Sequence, residues 1–383
     1  MTSDLLHVAL GERSYPIHLE SSLPDARVAS LARGLVSAQG ASRALVVTDD
    51  TVRSLYAAGV ADALGSAGLK TSVVSVPPGE GSKTLTNVSE LVDHALASGL
   101  NRRDVVVALG GGVVGDVAGF VASMLHRGVS WIQVPTTLLA QVDSSVGGKT
   151  GVNHAVGKNL VGAFWQPTAV VSSTEVLHTL PERQLRCGLA EAVKHGFIAD
   201  ESLVEQCVSS AERLLAYDDA CLLKLVRACC EIKAQVVSRD ERESKGAAES
   251  AEGVFAGREV LNFGHTLGHA YEFLMGYGTL THGEAVSLGM VLAARLSESL
   301  SIAAPGLAKE VASALHALGL PVDTQADELP DGFSLIDAAR TDKKATVNGV
   351  RFVLLSRIGS ACVKALSWED LEAVFLDGNT ARK

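Results

Sequence analysis

The sequence predicts an α/β N-terminal domain with a Rossmann-like parallel sheet, followed by an all-α or mainly helical C-terminal domain. In the first half, continuous β-branched runs alternate with helical patterns, which is typical of a parallel sheet covered on both faces. From residue 181 onward the pattern is mostly helical. We therefore expect two domains, 1–180 and 181–383, which suits the length of the chain.

Local patterning places each element in turn. In the first half, short apolar runs predict strands at 44–48, 71–76, 104–109, 130–134 and 168–172, with helices at 84–98 and 116–126. In the second half, helical patterns predict helices at 182–198, 203–216, 220–237, 266–274, 283–300 and 305–318. One short strand is expected at 351–356, after the Asn348-Gly349 turn. The segment 243–257, rich in small and acidic residues, predicts a mobile surface loop.

Composition limits the class of protein. The chain is 47% hydrophobic and 20% charged, so it can bury a large core. A net charge of -10 argues against a general nucleic-acid binder, which usually presents a basic face. Neither a long uncharged apolar run nor a secretory signal pattern is visible, so we expect no membrane span. The six cysteines lack C-x-x-C spacing and predict buried, reduced thiols in a cytoplasmic protein.

A glycine motif follows the third predicted strand. Gly110, Gly112 and Gly115 satisfy G-x-G-x-x-G and open a helix, where backbone amides can approach a pyrophosphate. The motif does not follow the first strand, and no acidic residue ends a strand about 20 residues later. Asp49, after an earlier strand, is an alternative ribose ligand. A tight strand–helix turn without a ligand is the competing interpretation.

Basic and amide side chains lie near a glycine-rich backbone. Arg127, Lys149, Lys158 and Asn159 suit a phosphate or carboxylate, although any one lysine could be a solvated surface residue. The sequence Gly148-Lys149-Thr150 resembles the end of a P-loop, but Asp143 stands where the first glycine would be. An ATPase is therefore disfavoured.

Histidines and a helix-borne glutamate indicate a metal site. LNFGHTLGHAYE places His265 and His269 one helical turn apart, and His282 follows in THGEAVSLGM. Glu191 and Lys194, in GLAEAVKHG, lie on one helix face. Imidazoles and a carboxylate suit zinc, and three protein ligands leave one position for substrate. Spacing alone favours His265 and His269 as ligands, and structural buried histidines are the alternative.

At these residues the sequence resembles the 3-dehydroquinate synthase family of sugar phosphate cyclases, over nearly the whole chain. The resemblance is densest in GGGVVGDVAGF, RGVSWIQVPTTLLAQVDSSVGGKTGVNH, GKNLVGAF, AEAVKHG, KAQVVSRDERE, LNFGHTLGHAYE and HGEAVSLGM. It implies the dehydroquinate synthase-like fold, an NAD cofactor, one divalent metal (zinc, with cobalt as an alternative) and a homodimer. The implied shikimate-pathway reaction converts 3-deoxy-D-arabino-heptulosonate 7-phosphate, an anionic small molecule, to 3-dehydroquinate and phosphate. It proceeds by transient oxidation, phosphate elimination, reduction and aldol closure.

The resemblance also implies roles for individual residues. The metal ligands would be Glu191, His265 and His282, which replaces the pair favoured by spacing. The catalytic residues would be Lys194, Glu243 and His269. The NAD contacts would be Asp49, Glu80, Lys83, Gly111, Gly112, Val113, Asp116, Thr136, Thr137 and Lys158. The substrate contacts would be Arg127, Asp143, Lys149, Asn159, Lys194, Lys233, Arg258, Asn262 and Lys343, with Lys344 as the alternative to Lys343.

One departure and three rival functions remain. Arg258 follows Glu243 later than in the family pattern, so an insertion at 244–257 puts the roles of both residues in question. A harmless loop bulge is the simpler interpretation, and altered substrate access is the other. The rivals are a cyclase acting on sedoheptulose 7-phosphate or glucose 6-phosphate, a metal-dependent alcohol dehydrogenase of related fold, and a non-catalytic NAD-binding partner. For any enzyme, we expect the site in a cleft between the two domains.

Overall fold

The computed structural model describes residues 3–243, 257–276, 278–324, 326, 328–340, 345–346 and 349–372. The chain divides into two compact units, Met1–Leu180 with Asp219–Ala234, and Pro181–Asp218 with Gln235–Lys383. The first unit thus includes a segment that lies within the predicted second domain, 181–383. Over the described ranges, no helix combines the length and the apolar character that crossing a membrane requires.

A seven-stranded sheet organises the first unit. Strands and helices are numbered along the whole chain, and the sheet order is β1-β2-β9-β6-β5-β3-β4. β1 and β2 pair antiparallel, and the other neighbours are parallel. The strands are β1 (Ser3–Val8), β2 (Tyr15–Glu20), β3 (Arg43–Asp49), β4 (Lys70–Val76), β5 (Val105–Gly110), β6 (Ser130–Pro135) and β9 (Ala169–Ser173). All five strands predicted for this half are confirmed, and the antiparallel pair at the edge is additional.

Helices cover both faces of this sheet and explain its apolar strands. Leu45 and Val47 belong to one core, with residues of α3 and α4. Their neighbour Val46 belongs to the other core, with residues of α1 and α2. Because successive residues of a strand point to opposite faces, a strand buried on both sides needs a continuous apolar run. The helices are α1 (Asp25–Gln39), α2 (Asp50–Ser66), α3 (Leu85–Ala97) and α4 (Gly112–Met124).

A β-hairpin occupies the glycine-rich segment that contains Lys149, Lys158 and Asn159. β7 (Lys149–His154) and β8 (Gly157–Phe164) pair antiparallel, with Gly151 opposite Gly162. A Cβ at Gly151 would lie 3.0 Å from the Cα of Gly162, so the two backbones approach more closely than larger residues allow. Glycine and polar residues are weak strand signals, which is why the hairpin was not predicted.

The second unit is mainly helical, as predicted, and has a small sheet. The predicted helix 203–216 is interrupted at Ser210, between α6 and α7. The single strand predicted at 351–356 is the middle one of three antiparallel strands, β10 (Ala345–Thr346), β11 (Gly349–Arg357) and β12 (Ser360–Ser367). α8 (Asp219–Arg239) begins in the first unit and ends in the second. The other helices are α5 (Glu182–Ala199), α6 (Glu201–Ser209), α7 (Ala211–Leu215), α9 (His265–Leu274), α10 (His282–Ser299), α11 (Leu307–Ala317) and α12 (Gly332–Ala339).

In the second unit, α9 and α10 pack closely against each other through glycines. A Cβ at Gly289 would lie 2.8 Å from the amide nitrogen of Gly268, and a Cβ at Gly268 would lie 3.1 Å from the Cα of Val286. Both helices also begin at a histidine, His265 in α9 and His282 in α10. The close packing therefore brings two predicted metal ligands toward each other.

We predict that Gly289→Ala lowers the free energy of unfolding by about 1–3 kcal/mol, because a methyl group there overpacks the α9–α10 contact. Gly34→Ala is the matched control, since Gly34 lies within α1 and a Cβ there meets nothing within 4 Å. That substitution should raise stability by about 0.5–1 kcal/mol through helix propensity. Urea unfolding measures both changes, and equal or greater stability of Gly289→Ala would contradict the packing argument.

Candidate active site

A buried carboxylate lies at the centre of the predicted metal site. Glu191, on α5, has 0% of its surface exposed. Its Oε1 lies 3.6 Å from Nε2 of His265 and 3.5 Å from Nε2 of His282. The ligand atoms of these three side chains lie within 4.8 Å of one another. Helices α5, α9 and α10 thus bring their ligands to one point.

Lys194 accompanies Glu191 on the same face of α5. The two side chains form an ion pair at i,i+3, and each is 1% exposed. Burial alone would raise the pKa of Glu191, but Lys194 and then the two imidazoles outweigh it, so the pKa lies well below its usual range. The carboxylate is therefore ionised, which is the form that binds a metal.

The two imidazoles differ in their preferred charge. Burial and the nearby Lys194 ammonium hold the pKa of His265 well below its ordinary value, so this ring is neutral. Burial would also lower the pKa of His282, but the neighbouring carboxylates of Glu191 and Glu272 outweigh it and raise the pKa well above that value. A metal would have to displace the proton on Nε2 of His282, and metal binding at such a ring releases a proton.

The donor set fits a divalent cation such as zinc. One carboxylate and two imidazole nitrogens are three of its usual ligands, and three protein ligands leave a position for substrate. Oε1 of Glu191 also has no hydrogen-bond partner among the described residues. A buried carboxylate oxygen in that state is costly, and a cation at this point would satisfy it.

His269 lies beside this group and outside it. Its ring centroid is 5.5 Å from that of His265 and 6.1 Å from that of His282. The pair that spacing favoured, His265 with His269, does not occur within one ligand group. The group containing His269 instead combines it with Glu272 and His282. One helical turn brings two histidines near each other, but it does not aim both rings at one point.

A second polar network lies in the first unit and contains four of the residues assigned to NAD or substrate. Nζ of Lys83 lies 2.8 Å from Oδ2 of Asp116 and 3.5 Å from Oε1 of Glu80, and it donates to Oδ1 of Asn159. Burial would lower the pKa of Lys83, but Asp116 and Glu80 outweigh it and raise the pKa. Burial raises the pKa of Asp116, and Lys83 offsets only part of that shift.

Asn153 holds this network together, although sequence reasoning did not select it. Its Nδ2 donates to Oε1 of Glu80 at 2.8 Å, and its Oδ1 accepts from the amide of Asn159 at 2.9 Å. Its own amide donates to the carbonyl oxygen of Lys83 at 2.9 Å. The hairpin β7–β8 is thereby attached to the turn Glu80–Ser82. The only sequence signal for this role was the asparagine itself, in the segment GVNH at 151–154.

The glycine turn before α4 is shaped largely by the protein itself. A Cβ at Gly111 would lie 3.0 Å from Cγ2 of Thr137, and one at Gly112 would lie 2.9 Å from Oγ of Ser144. Packing alone thus accounts for these glycines. This agrees with the competing interpretation of the motif as a tight strand–helix turn that binds no ligand. Val113 lies in the first turn of α4, whose amides point toward the space before the helix. An anion there would be stabilised by the helix dipole.

The remaining NAD-assigned residues lie near strand ends. Oδ1 of Asp49 caps α2 by accepting from the amides of Thr51 and Val52 at 2.9 and 3.0 Å. Oγ1 of Thr136, after β6, is buried and has no hydrogen-bond partner in the described part of the chain. Lys158 lies in the hairpin, on β8.

Two substrate-assigned residues, Asp143 and Lys233, contact each other directly. Nζ of Lys233 donates to the backbone carbonyl of Asp143 at 2.6 Å and forms an ion pair with its carboxylate. Asp143 lies in a single π-helical turn, Ala140–Ser144. Such turns are frequent at functional sites.

Left-handed backbone marks three other assigned residues. Arg127, Asn159 and Glu243 have φ of 66°, 55° and 52°, which L-amino acids rarely adopt. Backbone strain of this kind clusters at functional sites. Arg127 and Asn159 are exposed, so both can reach a ligand.

Four substrate-assigned residues complete the description. Arg258 is buried, and its Nη1 donates to the carbonyl of Glu241 at 2.6 Å. Nδ2 of Asn262 donates to the carbonyl of Glu259 at 3.0 Å. Lys149 is exposed at the start of β7. Lys343, its alternative Lys344 and residues 244–256 of the insertion 244–257 lie outside the described residues.

All six cysteines lie within the described part of the chain, are buried, and form no disulfide. Burial raises the pKa of Cys207 and of Cys230 to about 12 in each case. These two thiols are therefore protonated at neutral pH. The burial of all six side chains agrees with the prediction of buried thiols.

Two solved structures define the class to which this fold and site belong. One is 2-deoxy-scyllo-inosose synthase complexed with carbaglucose-6-phosphate, NAD+ and Co2+, with a TM-score of 0.82, 26% identity, and 98% of this chain and 99% of that chain covered. The other is 2-epi-5-epi-valiolone synthase from Streptomyces hygroscopicus subsp. jinggangensis with NAD+ and Zn2+ bound, with a TM-score of 0.82, 27% identity, and 97% and 99% covered. The fold is that of the sugar phosphate cyclases.

Sequence comparison identifies the family within this class. Residues 73–187 match the model of the 3-dehydroquinate synthase N-terminal domain, and residues 188–345 match that of the C-terminal domain. A 3-dehydroquinate synthase from Desulforamulus reducens is 44% identical over 373 residues, which cover 96% of this chain and 98% of the relative. The chain belongs to the 3-dehydroquinate synthase family.

We predict that Lys83→Met destabilises the protein by about 2 kcal/mol at pH 8, because it leaves the carboxylate of Asp116 buried without its counter-ion. The side chain of Asp116 is 22% exposed, which moderates the loss. The folded-state pKa of Asp116 is raised above its ordinary value, so at pH 8 the folded protein carries the free-energy cost of the ionised carboxylate. This cost disappears as the pH falls through that pKa and the carboxylate takes up a proton. The destabilisation should therefore shrink toward pH 4.

The control combines Lys83→Met with Asp116→Asn, which removes the unpaired charge. Urea unfolding of the double variant should show a smaller loss of unfolding free energy than Lys83→Met alone. That loss should also depend less on pH. Wild-type stability of Lys83→Met at pH 8 would show that the ion pair contributes nothing to the fold.

Proposed function

We propose that this chain converts 3-deoxy-D-arabino-heptulosonate 7-phosphate to 3-dehydroquinate and phosphate, using NAD and one divalent metal, zinc or cobalt. The observation that carries the proposal is the group formed by the buried Glu191 and the half-buried His265 and His282 beside Lys194, in a chain of this family. Membership in the family supports the reaction, and the ligand set supports the metal.

The second unit supplies the residues for the metal and for charge stabilisation. A metal held by Glu191, His265 and His282 would act as a Lewis acid on the substrate hydroxyls. Lys194 places a buried cation beside that position and would stabilise an oxygen that loses its proton. His269, whose ring lies next to two of the ligands, would move protons as an acid and base. Glu243 is the further proton acceptor that the family resemblance implies.

The first unit supplies the residues for the dinucleotide, which would accept and return a hydride. Amides at the start of α4, from Gly112 and Val113, would bind its pyrophosphate. Asp49 uses one carboxylate oxygen to cap α2, and its Oδ2 would accept from a ribose hydroxyl. The Lys83 network and the buried Thr136 hydroxyl offer further polar contacts.

The anionic substrate requires cations and hydrogen-bond donors at its phosphate and carboxylate. Arginine and lysine side chains provide them, with Arg127 and Arg258 suited to bidentate contacts. The Asp143–Lys233 pair places a lysine at a fixed position. The protein would then accelerate the reaction mainly by orienting the substrate and stabilising charge. The proposed contacts are Arg127, Asp143, Lys149, Asn159, Lys194, Lys233, Arg258, Asn262 and Lys343.

The rival functions have less support. The two solved cyclases named above are 26% and 27% identical to this chain, whereas the 3-dehydroquinate synthase relative is 44% identical. A dehydrogenase would need the same NAD and metal residues but no set of cations for a sugar acid phosphate. A cytoplasmic location, a homodimer and a site between the two domains stay predictions.

We predict that the purified protein releases phosphate from the heptulosonate phosphate only when NAD+ and a divalent metal are both present. Exhaustive chelation should abolish phosphate release, and added Zn2+ or Co2+ should restore it, because the metal ligands remain intact. A phosphate assay measures the rate, and chromatography against authentic 3-dehydroquinate identifies the product. Absorbance at the NADH maximum should stay constant, since the hydride is returned.

Controls separate the rivals. Sedoheptulose 7-phosphate and glucose 6-phosphate should release no phosphate above background. Faster release from either would identify a different cyclase, and NADH accumulating in proportion to substrate would indicate a dehydrogenase. Full activity after chelation would overturn the metal assignment alone.

A further inference from the structure

A second carboxylate contacts the metal-ligand group, and neither spacing nor the family resemblance assigned it a role. Glu272 lies on α9, and its side chain is 10% exposed. Its Oε2 is 3.2 Å from Nδ1 of His282. The other ring nitrogen of His282, Nε2, is 3.5 Å from Oε1 of Glu191. The imidazole of His282 therefore lies between two carboxylates.

The position of Glu272 follows from helix geometry. It comes seven residues after His265 on α9, and two helical turns return a side chain to nearly the same face. That face meets the start of α10, where His282 is the first residue. The glycine contact between Gly268 and Gly289 lets the two helices approach closely enough for this hydrogen bond.

A carboxylate at the second nitrogen of a ligating histidine has a known physical effect. It accepts the proton of that nitrogen, fixes the tautomer and ring orientation, and increases the basicity of the metal-binding nitrogen. His282 is the ligand that needs such support most, because its side chain is 31% exposed whereas that of His265 is 12% exposed. A more exposed ring has fewer packing contacts to hold its orientation.

We propose that Glu272 is a positioning residue that holds His282 with its Nδ1 protonated and its Nε2 lone pair directed toward Glu191 and His265. This inference rests on the metal site of the proposed function. It assigns Glu272 an action through His282 and no direct contact with the metal or the substrate.

A competing role for the same carboxylate is a direct one. Glu272, His269 and His282 also form a group whose ligand atoms lie within 4.8 Å of one another. In that group Glu272 would be a metal ligand itself. If both groups hold a metal, the wild type binds two Zn2+ and the Glu272 variants bind one. If only this second group holds a metal, Glu272→Gln should weaken Zn2+ binding as much as Glu272→Ala, whereas a positioning residue predicts a smaller loss for Glu272→Gln.

The test measures Zn2+ affinity and stoichiometry by competition with a chromophoric chelator. We compare the wild type with Glu272→Ala and the isosteric Glu272→Gln. Glu298→Gln is the matched control, because Glu298 is a carboxylate on α10 that binds the amides of Gly306 and Ala308 and is absent from the metal-ligand groups. Circular dichroism and urea unfolding of the metal-free proteins establish that each variant is folded.

We expect the wild type to bind one Zn2+, and Glu272→Ala to bind one with an affinity about 10–100-fold lower. Glu272→Gln should lose less, because its amide oxygen still accepts the Nδ1 proton of His282. Glu298→Gln should bind Zn2+ like the wild type. The visible spectrum of bound Co2+ should shift in the Glu272 variants, since the orientation of one ligand changes.

Three outcomes would overturn the inference. Wild-type Zn2+ affinity in both Glu272 variants would show that the hydrogen bond does not support the ligand. A decrease from two bound Zn2+ to one would make Glu272 a direct ligand. A wild-type protein that binds no Zn2+ would overturn the metal part of the proposed function as well, whereas the first two outcomes leave that function intact.

Discussion

The structure depends most on how a fully buried carboxylate, Glu191, is stabilised. An ionised group removed from water costs free energy unless opposite charges or strong hydrogen bonds compensate it. Lys194 on the same helix supplies an opposite charge, and the histidines that begin α9 and α10 lie 3.6 and 3.5 Å from Oε1 of Glu191. Three helices must therefore meet at one point, and the glycines between α9 and α10 make that approach possible. The same constraint gives a divalent cation a prepared position.

The first unit shows the same principle in a less buried form. Asp116 lies against Lys83, and Asn153 connects the carboxylate and amide groups around them. This network ties a turn, a helix and a hairpin together where the proposed dinucleotide and substrate residues occur. In both units, partly or fully buried polar groups thus cost folding free energy that apolar residues in the same positions would not. Such groups are typical of functional sites.

Much of the fold could be predicted because its central strands are buried on both faces and read as continuous apolar runs. Residues such as Val46 and Val106 carry that signal unambiguously. The hairpin β7–β8 could not be predicted, because its glycine and polar residues are weak strand signals. Helical spacing predicted the residue types of the site but not their grouping, which only the family resemblance implied. Helical spacing favoured His265 with His269, whereas the structure groups His265 with ligands from two other helices. Asn153 and Glu272 were missed because only contacts between distant segments reveal them.

The central claim is that Glu191, His265 and His282 hold the metal. Anomalous X-ray scattering at the zinc edge, from crystals of the zinc-loaded protein, tests it directly. We predict one strong peak at about 2.0–2.2 Å from a Glu191 oxygen and from Nε2 of both histidines. A peak among His269, Glu272 and His282, or zinc bound with Glu191 outside its coordination sphere, would contradict the claim.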